Sequence, residues 1–190
     1  MAAPAGTRTR VQVDVIIPVR NAAATIESAV GSAMRQEIPA HLRDGLRCLE
    51  ISLAVCCYDD GSTDGSWRTL RRLSEEYSSV GGPALGNEHG IASRLLIRQG
   101  PCGAGRGAGY ARNRAIELNR PTVDDGGISC HHRFLCLLDS DDVMHAHRVA
   151  EQAHFMVFEL SPDQRRRCLL GCKFERGAAA FDSNCRPKLQ

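Results

Sequence analysis

Short apolar runs that alternate with stretches of helical spacing constrain the fold of this chain more than any other feature. The run VDVIIPV at residues 13–19 is almost continuously apolar and rich in β-branched side chains, which is typical of a strand buried on both faces of a parallel sheet. Behind it, apolar residues recur at three- and four-residue intervals from Ile26 to Met34, as on one face of a helix. Further apolar runs predict strands at residues 49–58, 94–99, 133–139 and 168–174.

The stretches between these runs predict helices, which gives the order β-α-β-α-β-α-β-α-β. After the first helix, helical spacing covers residues 67–77, 110–119 and 146–160. Strands that alternate with helices predict an α/β fold with a mostly parallel, doubly wound sheet. In such a sheet the carboxyl ends of the strands lie along one edge, and ligands bind there.

The strand and helix pattern extends over residues 11–173, and we expect one domain there, which suits a chain of 190 residues. Residues 1–10 are rich in Ala, Pro, Gly and Arg and are predicted to be disordered. Residues 174–190 show neither a helix nor a strand pattern, so we expect an unstructured tail.

Composition and charge exclude several classes of protein. The net charge of +2 and the aromatic fraction of 5% give no nucleic-acid-binding footprint. No apolar run approaches the length of a membrane span, and the N-terminus lacks the apolar core of a signal peptide. Nine cysteines, several of them inside apolar runs, predict reduced thiols. Together these features predict a cytoplasmic protein without a membrane span.

Two acidic clusters close two of the predicted strands. Asp59 and Asp60 end the second strand, and Asp139, Asp141 and Asp142 end the fourth. In a parallel sheet both clusters lie at the ligand-binding edge. Hard divalent cations such as Mg²⁺ and Mn²⁺ are bound in proteins by one or two carboxylates together with phosphate oxygens of the substrate. The sequence therefore predicts a metal-assisted phosphate site, and the alternative is a solvated acidic turn before a helix.

A glycine-rich segment, GPCGAGRGAG at residues 100–109, leads into the third predicted helix. Glycines let backbone N–H groups approach a phosphate, and Arg112 in the first turn of the helix is placed to contact a diphosphate. A flexible loop with exposed arginines is an alternative. Gly103, Gly105 and Ala108 also match the spacing of a dinucleotide-binding fingerprint, which leaves a dinucleotide-dependent oxidoreductase as a further alternative.

Four segments of the chain resemble family 2 glycosyltransferases of the GT-A fold. They occur in the order seen in that family: VDVIIPVRNAAATIESAVGSAMRQ, CCYDDGSTDGSWRTL, GAGYARNRAIEL and LCLLDSDDVMHAHRV. The resemblance covers residues 11–173 and implies a hexosyltransferase domain that binds a UDP-sugar, with UDP-GlcNAc as donor and a carbohydrate as acceptor. It also implies a divalent metal, Mn²⁺ or Mg²⁺, and inversion of the anomeric centre.

The resemblance also assigns roles to individual residues. The residues that it places at the nucleotide sugar are Pro18, Arg20, Asn21, Asp59, Asp60, Arg112 and Asp139. Asp60 would accept a hydrogen bond from the uracil, Arg112 would lie near the base and the diphosphate, and Asp139 would contact the ribose side. Asp141, with Asp142 close by, would hold the metal.

The chain departs from the family after the DSD segment at residues 139–141. Family members continue with a second half that holds the acceptor site and a carboxylate base, and no matching motif follows here. We therefore expect a fold that is incomplete on its C-terminal side, a divergent ending such as a splice variant gives, and weak transfer by this form. The catalytic base is left unassigned. The alternative is a truncated, non-catalytic variant with an interaction or regulatory role.

Overall fold

A parallel sheet forms the centre of the molecule. The computed structural model describes residues 9–79, 91–120, 132–168 and 170. The strands of this part are β1 (Thr9–Val19), β2 (Leu49–Asp59), β3 (Ala92–Gln99) and β4 (His132–Leu137). They lie in the order β3-β2-β1-β4, and every pair of neighbours is parallel. The predicted α/β fold with a parallel sheet is confirmed.

Helices cover both faces of this sheet. They are α1 (Ile26–Met34), α2 (Arg43–Leu46), α3 (Ser66–Ser79), α4 (Ala108–Glu117), α5 (Arg148–His154) and α6 (Pro162–Arg167), with a 3₁₀ turn at Ala40–Leu42 and a π-helical turn at Phe155–Glu159. Leu70 of α3 and Val149 of α5 belong to the larger core cluster, which also takes in α1. On the opposite face, Ala111 and Ala115 of α4 pack with Ile16 of β1. Within the described residues, no helix has the length and apolar character needed to cross a bilayer.

The first strand begins earlier than its apolar run. Thr9 and Arg10 were predicted to belong to a disordered N-terminus, and this is wrong, because both lie in β1. The Thr9 N–H donates to the Cys48 carbonyl at 2.8 Å, and the Arg10 guanidinium pairs with the Glu50 carboxylate at 3.2 Å. Pairing with β2, rather than hydrophobicity, sets the start of this strand. The remainder of the predicted disordered segment lies outside the described residues.

The C-terminal predictions fall largely outside the described residues. Of the fifth strand predicted at 168–174, the structure describes Cys168 and Leu170, and neither lies in a helix or a strand. The tail predicted at 174–190 lies wholly outside. Upstream of it, the helix predicted at 146–160 is divided between α5 and the π-helical turn, with Leu160 extended at the end of that turn.

The buried cysteines behave as small apolar side chains. Burial raises the pKa of the Cys56 thiol to about 12, and burial likewise raises the pKa of Cys57. Both belong to the second half of β2, where they pack on opposite faces of the sheet. The free cysteines of the described part are Cys48, Cys56, Cys57, Cys102, Cys136 and Cys168.

Candidate functional site

A cleft opens at the carboxyl ends of the strands, at the point where the strand order changes direction. β2 lies on one side of β1 and β4 on the other, and open α/β sheets bind ligands at such a point. The cleft has a volume of about 240 Å³. It is lined by Pro18, Val19, Arg20, Asp60, Ala108, Ala111, Arg112, Asp139, Ser140 and Asp141. Six of the nine residues predicted for the donor and metal site are therefore brought together here.

The other three predicted residues, Asn21, Asp59 and Asp142, are not among the residues that line the cleft. Asp59 is fully buried, and its carboxylate is already engaged. Its Oδ1 accepts a hydrogen bond from the Ser62 N–H at 2.9 Å, and its Oδ2 accepts one from the Gln99 side chain at 3.2 Å. Asp59 thus shapes the turn that follows β2.

Asn21 fixes the loop after β1 to that same turn. Its backbone has a positive φ of 49°, a conformation that Asn adopts more readily than most residues. The Asn21 Oδ1 accepts from the Thr63 N–H at 2.9 Å, and the Asn21 N–H donates to the Ser62 hydroxyl at 2.9 Å. The two bonds join the ends of β1 and β2 into one wall of the cleft.

Asp60 binds the glycine-rich segment that precedes α4. It is 4% exposed, and its Oδ2 accepts the Arg106 and Gly107 N–H groups, each at 2.7 Å. Its own N–H donates to the Val19 carbonyl at 2.8 Å. Asp60, in the turn after β2, therefore connects this turn to the end of β1 and to the glycine-rich segment, and these three segments line the cleft. The sequence signal for this contact was an acidic turn followed by a glycine-rich run, but it did not show that the two meet.

Arg20 reaches across the cleft toward the same turn. Its Nη1 donates to the Asp60 carbonyl at 2.6 Å, and its guanidinium passes directly over Gly105. A Cβ atom on Gly105 would lie 1.3 Å from Arg20 Nη1, so the arginine can take this position only because residue 105 has no side chain.

Substituting Gly105 with alanine is expected to displace Arg20 and to leave the backbone in place, since the obstructed atoms are at the end of a flexible side chain. The resemblance of the sequence motifs places Arg20 at the nucleotide sugar, so on that expectation UDP should bind about 3- to 10-fold more weakly, because a hydrogen bond from a charged group is worth roughly 1.5–3 kcal/mol and part of it is recovered from water. Calorimetric titration measures this change. Gly109→Ala is the matched control, since an added Cβ meets nothing within 4 Å there. Equal UDP affinity of the two variants would contradict the assigned role of Arg20.

Arg112 and Asp139 face each other across the ligand edge. Arg112 Nη2 lies 2.5 Å from Asp139 Oδ1, and both side chains are partly exposed, by 34% and 51%. Arg112 Nε is buried without a hydrogen-bond partner among the described residues. The arginine comes from the first half of α4 and the aspartate from the turn after β4, so the pair joins the helix to the acidic cluster.

The turn after β4 that carries Asp139, Asp141 and Asp142, called here the aspartate turn, concentrates negative charge beside that arginine. Burial raises the pKa of Asp142, and the charges of Asp141 and Asp139 raise it further, while Arg148 acts in the opposite direction. The Asp142 N–H donates to the Asp139 carbonyl at 3.1 Å, which closes the turn. Mutual repulsion of carboxylates is relieved by a bound cation.

The donor set at this turn fits a hard cation that shares its ligands with a substrate. No group of three or more His, Cys, Asp or Glu side chains in the described part is arranged to hold a metal ion alone. Asp139 and Asp141, however, both line the cleft. Mg²⁺ and Mn²⁺ are commonly held by one or two carboxylates with phosphate oxygens completing the shell.

The sheet topology and a cleft lined by carboxylates and arginines define an α/β ligand-binding domain, and comparison with known proteins gives its class. Residues 14–161 match the model of glycosyl transferase family 2. This match spans well over half of the chain, and the chain belongs to family 2 of the glycosyltransferases. The resemblance stated from the sequence motifs is confirmed at the level of the family.

The alignment with a curated relative compares the length of this chain with that of another glycosyltransferase. The Escherichia coli protein UDP-Glc:alpha-D-GlcNAc-diphosphoundecaprenol beta-1,3-glucosyltransferase WfaP is 26% identical over 148 residues. The aligned part is 77% of this chain and 42% of WfaP. The chain therefore spans less than half of the length of that relative.

Solved structures with a similar backbone include S. aureus TarS. The match with TarS has a TM-score of 0.46 and 21% sequence identity, and it covers 76% of this chain and 19% of TarS. The structure of S. aureus TarS 1–349 in complex with UDP-GlcNAc matches with the same TM-score and identity, and covers 31% of that chain.

Proposed function

We propose that the cleft binds a UDP-sugar and that the protein transfers its sugar to a hydroxyl group of a carbohydrate acceptor. One observation carries the proposal: Asp60, Arg112, Asp139 and Asp141 line a single cleft at the switch point of the sheet, although they come from three separate segments of the chain. Membership in family 2 supports the reaction class. The name of WfaP gives UDP-glucose as its donor, which supports a uridine diphosphate here.

The nucleotide base would bind beside Asp60. One carboxylate oxygen of Asp60 holds the glycine-rich segment, and the other would accept the N3–H of uracil. An acceptor at this position favours uracil over cytosine, whose N3 carries no hydrogen. Pro18 and Arg20 form the adjacent wall, and Asp139 would lie on the ribose side.

The diphosphate would lie between Arg112 and the aspartate turn. Arg112 has a buried Nε without a described partner, and a phosphate oxygen would satisfy it. Asp141, with Asp142 close by, would hold a divalent cation, Mn²⁺ or Mg²⁺. Such a cation neutralises negative charge on a departing diphosphate. Arg112 would contribute in the same direction from the other side of the cleft.

From the resemblance of the sequence motifs, the donor sugar is proposed to be N-acetylglucosamine and the acceptor a hydroxyl group of another sugar. The sugar of a UDP-sugar of this kind is α-linked, so a β product such as the one named for WfaP requires inversion at the anomeric carbon. Inversion in one step needs a base that takes the proton of the acceptor hydroxyl during in-line attack. We assign this base to no residue of the described part.

Asp141→Asn tests the proposal at the metal. We expect Mn²⁺ to strengthen binding of UDP-GlcNAc to the unchanged chain about tenfold or more, and the variant to lose this gain while keeping its metal-free affinity. Asp44→Asn, on the exposed surface of α2, is the matched control and should behave as the unchanged chain. Retention of the full Mn²⁺ effect by Asp141→Asn would contradict the assignment. If the chain binds NADH and UDP does not displace it, the result would instead support the alternative of a dinucleotide-dependent oxidoreductase.

A further inference from the structure

Two polar side chains are buried along and just after α1, among apolar neighbours. Ser32 is 3% exposed and Gln36 is 2% exposed. Burying a side-chain amide costs free energy unless its donors and acceptor find partners. Outside α1 itself, these two side chains form hydrogen bonds to one segment, residues 144–149. This segment follows the turn that carries Asp139, Asp141 and Asp142, more than 100 positions further along the chain.

Gln36 satisfies every hydrogen-bonding group of its amide. Its Nε2 donates to the His145 carbonyl at 2.9 Å and to the Ser32 carbonyl at 3.1 Å. Its Oε1 accepts the Val149 N–H at 3.0 Å. A single side chain therefore bonds both the start of α5 and the loop before it.

Two further bonds complete the attachment of this segment. The Ser32 hydroxyl accepts the Met144 N–H at 3.0 Å, and the Glu37 N–H donates to the Ala146 carbonyl at 2.8 Å. The segment is thus held to the end of α1 by four hydrogen bonds.

The aspartate turn is held at both ends, by the sheet before it and by this attachment after it. At its start, the Leu138 N–H donates to the Ile16 carbonyl of β1 at 3.1 Å. At its end, Met144 is bonded to Ser32. The positions of Asp139 and Asp141 relative to the cleft are therefore set from both sides, and α1 supplies the second side.

We propose that Gln36, assisted by Ser32, is a positioning residue of the donor site, which holds the segment after the aspartate turn so that Asp139 and Asp141 face the cleft. This inference rests on the proposed function for its consequence, but the attachment itself is independent of any ligand. Gln36 acts through the backbone of residues 144–149 and touches no part of the cleft.

Amide hydrogen exchange of the full chain tests the attachment without a ligand. In Gln36→Ala we expect the amides of residues 139–149 to exchange about tenfold faster, since one to two hydrogen bonds of ordinary strength change an opening equilibrium by roughly this factor. The amides of β2 and α3 should change less. Gln36→Glu keeps an acceptor for Val149 but loses the donor to His145, and should give an intermediate increase. Ser32→Ala, a smaller change, provides the same comparison if Gln36→Ala does not fold.

Titration with UDP in the presence and absence of Mn²⁺ tests whether the attachment by Gln36 affects ligand binding. We expect Gln36→Ala to weaken Mn²⁺-dependent binding about tenfold and metal-free binding much less. Asn119→Ala is the control, because it also removes two side-chain hydrogen bonds, one to Asp14 and one from Arg94, just beyond the end of α4. It should lower stability without changing exchange at residues 139–149.

The outcomes distinguish a failure of the role proposed for Gln36 from a failure of the proposed UDP-sugar function. Unchanged exchange at residues 139–149 in both Gln36→Ala and Ser32→Ala overturns the attachment. Faster exchange with unchanged Mn²⁺-dependent binding overturns the positioning role. If the unchanged chain binds no UDP, the proposed function fails by that result, and the exchange data still decide whether Gln36 holds the turn.

Discussion

Replacing Asp60 with alanine is expected to abolish measurable UDP binding and to destabilise the domain. Asp60 accepts two backbone N–H groups of the glycine-rich segment at 2.7 Å each while it lines the cleft. Hydrogen bonds to a buried carboxylate are worth roughly 1.5–3 kcal/mol each, so we expect the free energy of unfolding to fall by about 2–4 kcal/mol after partial relaxation. Loss of the acceptor that we propose for uracil should weaken UDP binding at least about a hundredfold.

Asp60→Asn separates the two roles of this residue. The amide oxygen of Asn still accepts the Arg106 and Gly107 N–H groups, so we expect the loss of stability to be roughly half as large. The amide NH₂ then faces the uracil N3–H, donor against donor, so UDP should bind as weakly as it does to Asp60→Ala. Urea denaturation and calorimetric titration measure the two effects. Tight UDP binding by Asp60→Asn would contradict the assignment of the base to this side of the cleft.

Replacing Asp14 with alanine is expected to give a large loss of stability without a direct effect on the cleft. Asp14 is fully buried in β1, and its Oδ2 lies 2.5 Å from Arg133 Nη2 and 2.7 Å from Arg133 Nε. Its Oδ1 accepts from Asn119 Nδ2 at 2.6 Å and from Gln12 Nε2 at 3.0 Å. Breaking a buried ion pair on one side costs about 3–5 kcal/mol. The charge left behind is Arg133, whose side chain is 26% exposed, so we expect a loss at the lower end of this range.

The double variant Asp14→Leu with Arg133→Met is the control for this prediction. It removes both charges, and replacing a buried pair by apolar side chains is often neutral, so we expect most of the lost stability to return. UDP affinity per folded molecule should stay unchanged in every variant of the pair. A fall of less than about 1 kcal/mol in Asp14→Ala, measured by urea denaturation, would show that the pair contributes little.

Local patterns of the sequence predicted the architecture well. Apolar runs marked the four described strands. The signal was strongest for β1 and β2, because a strand that is buried on both faces must be apolar along most of its length. The acidic clusters at the strand ends marked the ligand edge, and Asp60, Asp139 and Asp141 do line the cleft. The strand boundary at Thr9 was missed because pairing with β2, not composition, determines it.

Roles that depend on distant contacts were not predictable in the same way. Asp59 and Asp60 are neighbours in one acidic motif, yet one is fully enclosed by Ser62 and Gln99 and the other faces the cleft. Asp14 lies within an apolar run, and its partner Arg133 is 119 positions away. Gln36 meets His145 across 109 positions. Such roles arise from tertiary contacts, which no local pattern of residue types encodes.

Titration of the 190-residue chain with UDP, first without metal and then with Mn²⁺, tests the central claim most directly. A cleft that holds the base beside Asp60 and the diphosphate between Arg112 and the aspartate turn predicts saturable binding of one UDP per chain, strengthened by Mn²⁺ and abolished by Asp60→Ala. The absence of UDP binding by the folded chain, both with and without Mn²⁺, would contradict it.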